Sequence, residues 1–316
     1  MSEQNNLIDY LNTNYQNLGI YKIKKIKHTD INSINFLVES KSGNYVLHSY
    51  DSLNAKRTEK ICRILYRCKQ NNANVSEPIL NNKNRFIDTR RKLYLTKFYD
   101  GNFFSNSSGQ LCDLAKNIAQ LHKVLKTIKA NITADNNQKY YKLLSNKEFE
   151  AITRLANKKL YSYDKLISKN IRLLNSVTEY LKNTDHVRKY NQLIHSDLHP
   201  KNVLFNNSKL AVILDFGAMR KGSPIEDIAF TSFRFSLFAN RQNTDIKNTM
   251  KKFLKIYLSF NKLKIEFEDE EYFLKKIILQ RINYIVRNRY FDNSNLWISD
   301  TQKHLSSLKL ADSIFK

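Results

Sequence analysis

Between positions 193 and 217 the chain sets His195, Asp197 and Asn202 in the pattern H-x-D-x-x-x-x-N, followed by two short apolar segments and then Asp215-Phe-Gly. Phosphoryl transfer from Mg·ATP asks little of a protein. It needs one carboxylate to orient the attacking hydroxyl and accept its proton, and two oxygen donors for the metal. Asp197 fits the first role, and Asn202 with Asp215 fits the second, in the order that chemistry uses. Asn202–Phe205 and Leu210–Leu214 are β-rich, with Asn206–Lys209 between them, which reads as a hairpin. A two-residue turn at Ser208 and Lys209 would pair Asn207 with Leu210, Phe205 with Val212 and Asn202 with Asp215. Opposed residues lie about 4.5–5.5 Å apart at Cα. Two oxygen side chains at that spacing can share a Mg²⁺ whose ligands sit at about 2.0–2.1 Å. Asp197 falls in the loop that enters the hairpin.

The elements around this loop can be read from periodicity. Ile20–Lys27, Asn35–Ser40 and Asn44–Tyr50 read as three antiparallel strands, the last two joined by a Lys41–Gly43 turn. Residues 54–70 read as a basic helix, with Ile61, Ile64, Leu65 and Cys68 on one face. Arg91–Phe98 is a further strand, ended by Asp100 and Gly101, and Asn102–Gln110 reads as a polar loop. The chain then turns helical: Leu111, Leu114, Ala115, Ile118, Leu121 and His122 share one face, as do Ile171, Leu174, Val177 and Leu181. Helical patterning resumes after Asp227 and runs through Phe253–Leu258 and Phe273–Arg289. The acidic run Glu266–Glu271 reads as a solvated helix start. The expected division is a strand-rich part, 1–98, and a larger helical part, 99–316, that contains the catalytic loop. A nucleotide would then lie between them.

Composition narrows the class. At 316 residues and 41% hydrophobic the chain can bury one large domain or two lobes. Its N-terminus shows no signal-peptide pattern, and no segment is apolar for the roughly 18 residues of a membrane span. Three cysteines, Cys62, Cys68 and Cys112, lack C-x-x-C spacing and fit a reducing cytoplasm. The net charge of +24 is scattered rather than blocked, so it reads as coding bias, and nucleic acid is not expected as a partner. None of the six glycines forms G-x-G, which removes the Rossmann fingerprint, the Walker A loop and the glycine loop of typical protein kinases.

Taken together, His195–Asn202, Ile213–Gly217 and Gly222–Ala229 resemble the aminoglycoside phosphotransferase/choline kinase superfamily, whose pattern runs roughly H-G-D-x-H-P-x-N, I-D-F-G, G-D-P-x-x-D-L-A. Ala119–His122 is similar to its L-A-x-L-H helix, and Asn35–Val38 with Gly43–Leu47 to strands of its homoserine-kinase-like branch. The resemblance implies an α+β, two-lobed, protein-kinase-like fold with a small antiparallel-sheet N-lobe and a large, mainly helical C-lobe. It also implies ATP and Mg²⁺ as cofactors and a small-molecule hydroxyl as partner. By position it makes Asp197 the catalytic base, His195 the brace of the catalytic segment, and Asn202 and Asp215 the metal ligands. Asp227 becomes the buried carboxylate that ties the next helix to that segment, and Lys97, Phe98 and Tyr99 become the adenine hinge. His48 stands where such kinases keep a phosphate-gripping Lys, with Glu59 as its helix partner. The loop at 28–34 has no glycine, so Asn32 and Ser33 would meet phosphate by side chain, and Lys24, Lys25 or Lys27 would supply charge.

Two other readings stay open on sequence alone. One is a kinase-like protein that binds nucleotide without turnover, motivated by His48. The other is a protein or nucleic-acid-associated kinase, motivated by the charge but lacking the H-R-D and A-P-E signatures. Acceptor identity falls to residues 125–190 and 230–316, where Tyr284, Arg287, Arg289, Tyr290 and Trp297 are candidates without assigned roles.

Overall fold

Alternating apolar residues turn the first hundred residues into a sheet whose inner face needs a cover, and a helix at the N-terminus supplies it. The structure, a computed structural model, describes residues 2–15, 17–26, 35–50, 55–132, 142–184, 190–239, 245–295 and 297–315. Asn32, Ser33 and Lys27 lie outside the described residues. The chain divides into two compact units, one of residues 1–132 with 199–219 and one of 133–198 with 220–316.

In the first unit, α1 (Ser2–Asn14) precedes β1 (Ile20–Ile26), β2 (Asn35–Ser40) and β3 (Gly43–Ser49). Then come α2 (Ala55–Gln70), β4 (Ile87–Asp88), β5 (Leu93–Lys97) and α3 (Ser108–Thr127). The five strands form an antiparallel sheet in the order β1-β2-β3-β5-β4. Leu11 and Tyr15 bury against Ile20, Ile23, Val38, Tyr45, Leu47 and Leu95. The N-terminal helix, which periodicity did not single out, is therefore part of this core. Asn12 locks it in place: its amide donates to the Ile20 carbonyl at 2.8 Å, and its carbonyl accepts from the Ile20 N–H at 2.7 Å. A side chain thus completes the strand end as a neighbouring strand would. On α2, Ile61, Ile64, Leu65 and Cys68 are buried, as their spacing required, together with Cys62.

The second unit holds α4 (Asn146–Asn157), α5 (Ser162–Asn183) and the short strand β6 (Gln192–Ile194). The chain then re-enters the first unit for β7 (Val203–Asn206) and β8 (Lys209–Ile213). It returns through β9 (Arg220–Gly222) to α6 (Pro224–Ala239), α7 (Ile246–Phe260), α8 (Phe267–Tyr290) and α9 (Thr301–Ile314). β9 pairs antiparallel with β6, Ile194 opposite Arg220. Ser145 and Glu148 close a reciprocal cap on α4, each accepting the other's backbone N–H, at 3.3 and 2.8 Å. α8 starts where the acidic run predicted, but that run is not solvated throughout: Glu270 is fully buried. Among the described residues no helix is long and apolar enough to cross a membrane.

Candidate active site

The catalytic loop begins where β6 ends, and its backbone is held from below by α6. Asp227, in the first turn of α6 and 2% exposed, accepts the His195 N–H at 2.7 Å and the Ser196 N–H at 2.6 Å. The buried tie expected of Asp227 is therefore present. Ser196 adopts φ +70°, a left-handed conformation uncommon outside glycine, asparagine and aspartate. Such a conformation persists only where surrounding bonds over-determine it. Three do so here: the two N–H groups on Asp227, and Arg220 Nε donating to Ser196 Oγ at 3.0 Å. Arg220 is itself fixed by Glu226. His195 is fully buried, and its Nδ1 accepts the Asp197 N–H at 3.2 Å, so the ring braces the residue that carries the carboxylate.

Asp197 meets a residue that the motif did not announce. Arg281 of α8 donates to Asp197 Oδ1 at 2.7 Å, and its guanidinium lies 4.4 Å from the centroid of Phe230. Arg234 of α6 approaches the same ring, at 5.8 Å. His304 of α9 is half-buried beside them, its pKa pushed down to about 3 by burial first and then by the charges of Arg281, Lys303 and Arg234. These groups lie far from Asp197 in sequence, yet a signal existed. Arg281 interrupts the apolar stretch Ile277–Val286, and Arg234 interrupts Ile228–Leu237. A lone cation in such a stretch is buried or functional.

Asn202 and Asp215 both belong to the first unit, Asn202 buried and Asp215 exposed. The hairpin forms, but two residues out of the expected register at the turn and one residue out beyond it. Asn206 pairs with Lys209 and Phe205 with Leu210, a bulge intervenes, and Leu204 pairs with Val212. The turn residues are Asn207 and Ser208, because Asn207 takes φ +57°, which asparagine tolerates in tight turns. Asn202 consequently faces Leu214, whose N–H it accepts at 2.8 Å, and Asp215 lies one residue beyond. Asp215 has φ 56°, ψ 71°, and its Oδ1 accepts the Gly217 N–H at 3.3 Å. The hairpin is bolted to the segment after α2, with Ile213 N–H donating to the Asn74 carbonyl at 2.7 Å. Arg57 of α2 donates to the carbonyls of Gly217 at 2.9 Å and Met219 at 2.7 Å, clamping the turn that follows Asp215. Among the described residues no three His, Cys, Asp or Glu side chains gather to cage a metal. An Asn and an Asp are instead the kind of partial set that Mg²⁺ completes with phosphate oxygens and water.

The remaining sequence-predicted residues are also in this unit. The His48 nitrogens lie 3.1 Å from Asn35 Oδ1 and 2.9 Å from Thr96 Oγ1, and the ring stacks on Tyr94 at 4.6 Å, so it stitches β2, β3 and β5 together. Glu59 accepts the Ile87 N–H at 3.2 Å and pairs with Arg63 at 2.7 Å. Lys24 and Lys22 pair with Glu39 on the adjacent strand, and Lys25 is exposed. At the expected hinge, Lys97 N–H donates to Glu77 and Phe98 N–H to Asn44, each at 2.9 Å. Among the described residues the Tyr99 N–H has no backbone acceptor. Past the hinge, Gly101 at φ +156° passes so close to β7 that a Cβ would sit 3.1 Å from the Phe205 carbonyl. Asn102 and Phe205 exchange both backbone hydrogen bonds there, at 2.9 and 2.8 Å. The polar stretch beyond is pinned rather than loose, with Gln110 buried and donating to the Asn207 carbonyl at 2.8 Å.

Of the C-terminal candidates, Arg287 pairs with Glu148 at 2.7 Å and donates to the carbonyls of Lys142 and Leu143, while Tyr290 donates to Asp164 at 2.8 Å. Tyr284 packs on Trp297 at 5.5 Å, and Arg289 donates to Asn295.

The phosphotransferase enzyme family profile matches residues 22–249. Among solved structures, spectinomycin phosphotransferase with ADP and spectinomycin is 17% identical with a TM-score of 0.65, over 99% of this chain and 97% of that one. An amicoumacin kinase with AMP-PNP and Ca²⁺ is 14% identical with a TM-score of 0.65, over 98% of this chain and 93% of that one. A choline kinase from Streptococcus pneumoniae is 13% identical with a TM-score of 0.61, over 97% of this chain and 98% of that one. No curated protein sequence matches. At these identities the likeness shows the fold: α+β and kinase-like, an N-terminal antiparallel sheet followed by a mainly helical C-terminal part.

Proposed function

The chain belongs to the phosphotransferase enzyme family, and on that premise we propose that it transfers the γ-phosphate of ATP to a hydroxyl of an amino alcohol, sugar or aminoglycoside. One observation carries the reading: Asp197 sits on a loop whose backbone is fixed by a buried carboxylate, in chain order with Asn202 and Asp215. In this reading Asp197 orients the acceptor hydroxyl and takes its proton as the oxygen bonds to the γ-phosphorus. The bond to the β-phosphate oxygen breaks and ADP leaves. Asn202 and Asp215 hold Mg²⁺, which when bound neutralises charge on the phosphates. The Tyr99 N–H offers adenine a donor, and His48 with Glu59, Asn32 and Ser33 remains the proposed surround of the phosphates.

The test is ADP release from Mg·ATP with a panel of acceptors, beside Asp197→Asn. The expected result is acceptor-dependent ADP from the native protein and a loss of about 10²-fold or more in the variant, with ATP binding retained. Near-normal turnover in Asp197→Asn would sink the assignment. A second reading, nucleotide binding without turnover, is favoured by one observation. A histidine tied to Asn35 and Thr96 holds the position of the phosphate-gripping lysine. Tight nucleotide binding with no product on any acceptor would select it.

A further inference from the structure

The surroundings of Asp197 inside the second unit carry more cation than they neutralise. Arg281 is paired with Asp197 at 2.7 Å, Glu226 takes Arg220 and Lys276, and Lys303 lies 3.9 Å from Asp300. Arg234 is left over. It is half-buried on α6, shares the Phe230 ring with Arg281, and its guanidinium makes no ion pair or hydrogen bond among the described residues. Both burial and the nearby Arg281 charge work against its protonated form, so its position is not one that stability alone would select. Asp197 and Asp300 are the two carboxylates that act on it, each already facing another cation. His304, facing the same groups, is held neutral and adds no charge. A guanidinium presents a planar fork of donors matched to carboxylate and phosphate oxygens. Two such forks lie 4.4 and 5.8 Å from the centroid of one ring, and the nearer of them is paired with the proposed base.

We propose that the acceptor alcohol carries an anionic group, a carboxylate or a phosphate, which Arg234 and Arg281 bind beside Asp197. This narrows the kinase reading and rests on it for the identity of the reacting hydroxyl. It sets this chain apart from a site for polycations, which would line the base with carboxylates. It also gives the Asp197–Arg281 pair a purpose. In the absence of acceptor Arg281 rests on Asp197, and an arriving anion takes over the guanidinium and leaves the carboxylate to the hydroxyl.

The experiment uses acceptors matched except for the anion: glycerate against glycerol, and ribose 5-phosphate against ribose, with choline and spectinomycin as cationic controls. ADP release is measured for the native protein, Arg234→Gln and Arg234→Lys. Thermal midpoints are measured with and without malate and inorganic phosphate. The expected result is a kcat/KM about tenfold or more higher for the charged member of a pair, abolished in Arg234→Gln and partly restored in Arg234→Lys. Preference for the neutral or cationic acceptors would overturn the inference and leave the kinase reading standing. So would an equal loss on both members of a pair in Arg234→Gln, which would assign the guanidinium to the transferred phosphoryl group. If no acceptor yields ADP, the midpoints decide. Stabilisation by malate or phosphate that vanishes in Arg234→Gln supports the anion site while counting against the kinase reading. Absence of any Arg234-dependent stabilisation overturns it.

Discussion

Replacing Asp227 by alanine tests the central claim about how the loop is held. The carboxylate accepts two backbone N–H groups, from His195 at 2.7 Å and Ser196 at 2.6 Å, and both it and His195 are buried. Hydrogen bonds to a charged group contribute about 1.5–3 kcal/mol each, and the alanine leaves two donors in the interior with no acceptor. The two bonds together therefore predict a loss of about 3–6 kcal/mol, a large fraction of the stability of an ordinary domain. Asp227→Asn keeps one acceptor oxygen but turns an amide toward the second N–H, so it should recover roughly half of that. Activity should suffer beyond the stability loss, because the φ +70° conformation of Ser196 costs about 1–3 kcal/mol and relaxes once the bonds are gone. Asp197, the next residue, moves with it. The assays are urea unfolding followed by far-UV circular dichroism, and kcat/KM under conditions where each variant remains folded. A urea midpoint for Asp227→Ala within error of the native protein, or a kcat/KM within about threefold, would refute the reasoning.

Two further predictions concern packing and charge. Glu270 is fully buried, and desolvation raises its pKa from 4.5 to about 8, offset slightly by the Ser232 hydroxyl. The folded protein therefore holds this proton more tightly than the unfolded chain does. The stability contribution is complete below pH 4.5 and is lost as pH rises toward about 8. The difference in unfolding free energy between native and Glu270→Gln should change over that window by up to about 1.4 kcal/mol per pH unit, in favour of the variant at high pH. Urea midpoints across the range check this, and a constant difference would count against it. Gly101→Ala must place a methyl 3.1 Å from the Phe205 carbonyl at a backbone angle that alanine disfavours. A loss of about 1–3 kcal/mol is expected, and a weakened ATP affinity if 97–99 is the hinge, read by equilibrium unfolding and nucleotide titration.

What sequence reading could reach was local chemistry. The strand starts, the helical faces of Leu114–His122 and Leu174–Leu181, and the order of Asp197, Asn202 and Asp215 all follow from spacing and residue type. Asp227 was legible through the resemblance of Gly222–Ala229 to the family pattern, which assigns a buried carboxylate to that position. The failures have a common cause in tertiary context. Glu270 sits in an acidic run that looks solvated, yet helix geometry turns that one position inward against Ser232. The hairpin register turned on the left-handed turn of Asn207 and on a single bulge, neither visible as periodicity. Arg281 reaches Asp197, and Arg234 the Phe230 ring that Arg281 also covers, from helices remote in sequence, and only their interruption of apolar stretches hints at it.

The chain's return path has a consequence for how the protein is made. Residues 199–219 belong to the unit that begins at residue 1, and β8 packs on α3 and pairs beside Val75. On the ribosome, the first 132 residues emerge long before that partner does. At about 5–20 residues per second the wait is roughly 4–17 s, far longer than a hairpin or helix takes to form. During it the α3 face that will receive β8 is open to chaperones or to another nascent chain. The same delay imposes an order. The unit that carries Asn202 and Asp215 is never complete before Asp197 has been synthesised, so no translation intermediate presents the finished hairpin without the catalytic loop that precedes it.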